Sequence, residues 1–148
     1  MGDKGSWENI ENIEKYLRKI DYIIRLKGRE ILNDFNMTAP QFTALQILIN
    51  DGKLTTGELS KSMSLACSTI TDLIDRMEKS NLVIRRKDEL DKRIVRIEVL
   101  PKGCSIVEKV LERRIKFLES KIFKLSDEKR LSLEEVLKSL YDVMDEYK

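Results

Sequence analysis

No histidine occurs anywhere in the 148 residues. That excludes a histidine-based triad or general base and removes the commonest zinc ligand. Only two cysteines are present, Cys67 and Cys104, too few for a disulfide framework. Neither their spacing nor that of the carboxylates suggests a metal cage. No glycine-rich phosphate loop follows a strand. No run of about 18 or more apolar residues exists, so no membrane span is supported. The N-terminal MGDKGSWENIENIEK is polar and carries no apolar signal core. Tandem repeats and low-complexity linkers are also lacking. So little of an active site is met that the expectation is a non-enzyme with no catalytic residues, no metal, no cofactor and no membrane partner, located in the cytoplasm.

What is present is one domain's worth of chain, 41% hydrophobic and 36% charged. Lys and Arg number 28 against 26 Asp and Glu, a net charge of +2, so any basic surface must be local. The most informative stretch runs from Leu54 to Gly103 and reads as a helix, a tight turn, a second helix and two basic strands. The first helix has a complete start signal. Thr55 can cap it, Glu58 can reach back to the Thr55 amide, and Leu54 with Leu59 can form a hydrophobic staple. Ser64-Leu65-Ala66 is a short connector. The second helix carries Ile70, Leu73, Ile74 and Met77 at the i, i+3, i+4, i+7 spacing of one buried stripe. Its other side shows Ser68, Asp72, Asp75 and Lys79, flanked by Thr69, Thr71 and Arg76.

Two β-branched runs follow, Leu82-Val83-Ile84 and Ile94 to Val99. Between and within them Arg85, Arg86, Lys87, Lys92, Arg93 and Arg96 stand against Asp88, Glu89 and Asp91, six positive and three negative, a local +3. Helix, turn, helix and a basic hairpin wing form an arrangement suited to a DNA duplex. A second helix rich in small hydroxyl residues allows close approach to base edges, and its N-terminus points free amides at phosphate. A solvated charged hairpin on two ordinary amphipathic helices is the alternative.

Asp91-Lys92-Arg93, continuing through Val99-Leu100-Pro101-Lys102 to Gly103, resembles the wing signature of the MarR family of transcription regulators. That family has an Asp-x-Arg in the wing and a Leu-Thr-x-x-Gly at the start of the next helix. Ser68-Thr69-Ile70-Thr71 through Asp75-Arg76-Met77-Glu78 to Leu82-Val83 resembles its recognition helix and first wing strand. Thr38 to Leu48 looks like its second helix. The resemblance implies a mainly α fold with a small β-hairpin wing, a winged helix-turn-helix lobe over 37–103, and dimerisation helices over 1–36 and 104–148. It implies that Arg93 reaches a minor groove, where narrow width and negative potential favour arginine. It also implies that Arg76 supports the wing through Asp91. Ser68, Thr69 and Thr71 are then expected at bases or phosphates in the major groove, with Arg85, Arg86, Lys87 and Lys92 at phosphates or flanking the wing.

Three departures stand out. Leu100 replaces the family's Thr, and Pro101 at a first helical position helps that start. Asn81 replaces a Gly but tolerates a left-handed conformation. Asp72 stands where many members have a basic or neutral residue. A carboxylate there repels phosphate; it can accept a hydrogen bond from the exocyclic amine of cytosine or pair with Arg76 four residues on.

The chain ends suggest self-association. Ile13, Leu17, Ile20, Ile24, Ile31 and Leu32 recur at helical spacing between Ile10 and Phe35. A helix from about Gly103 to Phe123 carries Ile106, Val107, Val110, Leu111, Ile115, Leu118 and Ile122. Ser126 can cap a last helix with Leu133, Val136, Leu137, Leu140, Tyr141 and Met144. Packed on a second copy these helices make a C2 homodimer; folded back on their own subunit they make an ordinary core. The expected partners are double-stranded DNA, a second copy, and a small apolar or phenolic effector of the kind the family binds. The expected role is a ligand-responsive repressor. Two alternatives stay open. One is a dimeric interaction module without DNA binding. The other is a thiol-based regulator in which Cys67, near the start of the recognition helix, is oxidised; the plain reading of Cys67 is a small packed residue.

Overall fold

Side-chain caps set the starts of three helices in this chain. A computed structural model describes residues 3–146, with eight elements among them. They are α1 (Lys4–Asp34), α2 (Ala39–Asp51), α3 (Thr56–Met63), α4 (Cys67–Lys79), β1 (Val83–Lys87), β2 (Val95–Val99), α5 (Pro101–Ile122) and α6 (Asp127–Met144). The mainly helical fold with a two-stranded wing is as the sequence indicates. Thr55 and Glu58 form the expected reciprocal capping box on α3. Thr38 and Gln41 form a second one on α2, with Pro40 in its first turn.

Helices α1, α3 and α4 close without glycine. Asn36, Ser64 and Asn81 take the left-handed conformation, with φ of 52°, 55° and 61°. After α4 the Leu82 amide donates to the Met77 carbonyl and the Asn81 amide to the Glu78 carbonyl, each at 3.0 Å. Those two bonds satisfy helix-end carbonyls and turn the chain directly into β1. The Ser64 turn is reinforced by the Ser60 hydroxyl, which donates to the Leu65 carbonyl. Only Ser64, Leu65 and Ala66 lie between α3 and α4.

The chain divides into two compact units, one up to Leu111 and one from Glu112. In the first, Leu45, Leu59, Ile70, Ile74, Met77, Val83 and Ile97 are fully buried in one core, to which α1 adds Ile31 and Leu32 and α5 adds Val107 and Val110. Each such side chain contributes about 1.5–3 kcal/mol of burial. The strands pair antiparallel with Val83 opposite Val99 and Lys87 opposite Val95. Leu54 adds an isolated bridge to Ile97, which fastens β2 to the segment before α3.

Gly103 marks the tightest contact. A Cβ there would lie 2.5 Å from the Leu82 carbonyl oxygen and 2.9 Å from Val99 Cγ1. Only glycine lets α5 start this close to the strands. The Leu100 amide donates to that same Leu82 oxygen at 2.9 Å, and Lys102 Nζ donates to the Ser80 carbonyl. Helix α5 therefore starts at Pro101 without the threonine cap. In the second unit, Ser126 caps α6 by accepting from the Lys129 amide, and the Arg130 guanidinium lies over the Phe123 ring.

Candidate nucleic-acid interface

Helix α4 has two distinct sides. Ile70, Ile74 and Met77 are fully buried and Leu73 is half-buried. At about 100° per residue, Ser68, Asp72, Arg76 and Lys79 lie opposite that stripe, and all four are exposed. Thr69 is exposed beside them. The Thr71 hydroxyl donates back to the Cys67 carbonyl at 2.9 Å, so it is already engaged within the helix. Cys67, the first residue of α4, is exposed, whereas Cys104 is partly covered.

The contact between α4 and the wing runs through Arg85. Its Nη2 lies 2.8 Å from Asp75 Oδ1 and its Nη1 3.6 Å from Glu78 Oε1. Its backbone amide donates to Glu78 Oε2 at 2.8 Å. Arg85 thus braces β1 against α4. Arg86 is paired across the hairpin with Glu98 at 3.0 Å. Glu98 also belongs to the hairpin and lowers its balance from +3 to +2, four acidic residues against six basic. Lys87 and Lys92 are exposed.

The wing tip is organised by two aspartates. Asp88 Oδ1 accepts from Arg96 Nε at 2.9 Å, while its Oδ2 accepts from the Leu90 amide at 3.1 Å and the Asp91 amide at 2.9 Å. Asp91 accepts from Arg93 three times, from its amide, Nε and Nη2, at 2.9–3.1 Å. The Arg96 guanidinium holds the Asp88 carboxyl below the usual carboxylate range, aided by the Asp91 amide. The Arg93 guanidinium does the same for Asp91. Arg96 also reaches the Lys53 carbonyl and Glu58, which ties the hairpin to the start of α3. Arg93 itself projects outward, its side chain 90% exposed.

Two expected pairings are not formed. Asp91 takes Arg93 as its partner and not Arg76, because the residue two positions on already supplies a forked donor at the same loop. Asp72 and Arg76 share the outer face of α4 without a hydrogen bond or ion pair between them. Sequence reading missed Asp88 and Arg96 as the organising pair. An aspartate followed closely by turn residues was the available signal for Asp88. Nothing local pointed to Arg96, eight positions away.

Among the described residues no group of side chains could hold a metal ion, and no helix is long and apolar enough to cross a membrane. The arrangement offers an exposed helix face and a braced, cation-bearing hairpin.

Comparison with known proteins agrees with this geometry. Residues 37–95 match the MarR family model. An uncharacterised HTH-type transcriptional regulator of Bacillus subtilis, YsmB, is 48% identical over 93% of this chain and 94% of its own length. A MarR family protein from Bacillus stearothermophilus superposes with a TM-score of 0.85 at 45% identity, covering 94% of this chain and 97% of that one. The transcriptional regulator Tm0710 of Thermotoga maritima gives 0.79 at 36% identity, over 91% and 95%. The chain belongs to the MarR family of winged helix-turn-helix transcriptional regulators.

Proposed function

We propose that this regulator binds double-stranded DNA as a homodimer on a pseudo-palindromic operator. The observation that carries the reading is the division of labour in the basic segment. Arg85 and Arg96 are spent on bracing, while Ser68, Thr69, Arg76, Lys87, Lys92 and Arg93 stay exposed on α4 and the hairpin. Helix α4 enters the major groove, with Ser68 and Thr69 near bases or phosphates. Arg93 enters the adjacent minor groove, and Lys87 and Lys92 meet phosphate.

Dimerisation is supported by the terminal helices, each taken by itself. On α1, Ile10, Ile13, Leu17, Ile20 and Ile23 are all roughly half exposed, and only Ile31 and Leu32 are buried. On α6, Val136, Leu137, Tyr141 and Met144 are exposed, and no residue is buried. Apolar faces of this extent are stable in water when a second copy covers them. The segments 1–36 and 104–148 are therefore read as the dimerisation helices, and 37–103 as the DNA-binding lobe. Two such lobes present their recognition helices roughly 34 Å apart. A repressor acting by occupying its operator fits this geometry. A small apolar or phenolic effector comes into the reading from the family alone.

Selection from a pool of random duplexes tests the proposal. The expected product is an inverted repeat whose half-sites lie about one helical turn apart. Recovery of no enriched sequence, with folded protein, would refute it.

A further inference from the structure

Asp72 lies at the centre of the α4 face that points away from the core, between Ser68 on one turn and Arg76 on the next. Every other acidic side chain on α4 has a partner in the protein. Asp75 holds Arg85 Nη2 at 2.8 Å, and Glu78 holds both the amide and the guanidinium of Arg85. Asp72 has none among the described residues: neither Arg76 nor any neighbouring hydroxyl bonds to it, and the Thr71 hydroxyl turns back to the Cys67 carbonyl. An unpaired carboxylate at the middle of a surface that meets polyphosphate is electrostatically unfavourable unless the duplex offers it a donor. In the major groove the base donors are the exocyclic amines of cytosine and adenine. Adenine presents its amine beside the N7 acceptor, which repels a carboxylate. Cytosine presents the amine alone, which suits an acceptor-only group.

We infer that Asp72 is a specificity-determining residue that accepts a hydrogen bond from the N4 amine of one cytosine in each half-site. This rests on the reading of α4 as the recognition helix. Asp72 supplies discrimination at the expense of affinity. Its charge weakens contact with every duplex and is offset only where a cytosine lies beneath it. Arg76, four residues on, then remains free for the neighbouring phosphate or guanine, because no intrahelical pair occupies it.

The test compares full-length wild type, Asp72→Ala and Asp72→Asn in parallel selections from one random duplex pool. Binding to a single unselected duplex is titrated alongside. Position 72 is exposed mid-helix, where Ala and Asn leave the fold intact, which circular dichroism verifies. Wild type is expected to require cytosine at one symmetric position per half-site, by about tenfold over other bases. Asp72→Ala loses that requirement but keeps the rest of the repeat, and it binds the unselected duplex more tightly than wild type. Asp72→Asn, which gains a donor, comes to accept adenine at the same position. Identical base preferences in wild type and Asp72→Ala would overturn the assignment, as would weaker binding of Asp72→Ala to the unselected duplex. Failure of the wild type to retain any duplex would instead remove the DNA-binding reading, and with it the assignment.

Discussion

Asp88 accepts from Arg96 Nε at 2.9 Å with one carboxylate oxygen and from the backbone amides of Leu90 and Asp91 with the other. One side chain therefore fixes both the strand pair and the conformation of the tip that presents Arg93. In Asp88→Ala the tip amides lose their acceptor and Arg96 loses its partner. Helicity is expected to stay unchanged while operator affinity falls, and hydrogen exchange at Leu90 and Asp91 accelerates. Unaltered exchange at those two amides would show that Asp88 does not organise the tip.

Acid should undo the same device. Both carboxyls titrate below the usual carboxylate value, Asp88 because of Arg96 and Asp91 because of Arg93. A lowered folded pKa gives a contribution that is present above the unfolded value, about 3.9, and is lost as pH falls through the folded one. The wing is therefore expected to hold constant between about pH 6 and 8 and to loosen only below about pH 4. Carbon-detected NMR titration of the two carboxyls checks this. A midpoint for Asp88 at or above the ordinary carboxylate value contradicts it.

Arg85 and Arg93 should separate cleanly on mutation. Arg93→Ala is expected to weaken operator binding about tenfold and to lower the salt slope by about one, with the dimer still folded. Arg85→Ala removes the links to Asp75 and Glu78 and costs about 0.5–1 kcal/mol of stability, with a smaller change in the salt slope. Gel-shift titrations at several salt concentrations, with thermal melts, distinguish them. Equal salt slopes for both variants would place Arg85 at phosphate after all.

Gly103 allows no side chain. A Cβ would press on the Leu82 carbonyl oxygen at 2.5 Å, and that oxygen is also the acceptor for Leu100. Gly103→Ala is expected to destabilise the fold by about 1–3 kcal/mol. A denaturation midpoint equal to wild type would mean that α5 can move away at no cost.

Local signals were readable in the sequence because their partners are close in the chain. The Thr55–Glu58 box, the Ser126 cap, the left-handed Asn81 and the buried stripe of α4 each need only a few consecutive residues. The Thr38–Gln41 box carried the same signal. Helix α1 starts at Lys4, ahead of its apolar periodicity, and its first turns carry the 2.7 Å bond from Trp7 Nε1 to Glu11. What stayed hidden depends on register. Whether Arg85 or Arg76 joins α4 to the wing is decided by how β1 leaves the Asn81 turn. Whether Asp91 or Asp88 braces the hairpin depends on which residue faces Arg96 across it. Spacing permitted an Asp72–Arg76 pair but could not require one, since both side chains are exposed and free to choose solvent or DNA.

The most direct test of the central claim is sedimentation of the full chain, alone and with a selected operator duplex, across a series of salt concentrations. The expected result is a dimer at micromolar concentration, two chains per duplex, and affinity that falls linearly on a log–log scale as salt rises. Removing residues 1–24 should abolish the dimer and with it most of the affinity, because the two half-sites are no longer linked. A monomeric full-length chain, or one that fails to bind the duplex at low salt, would contradict a dimeric DNA-binding regulator.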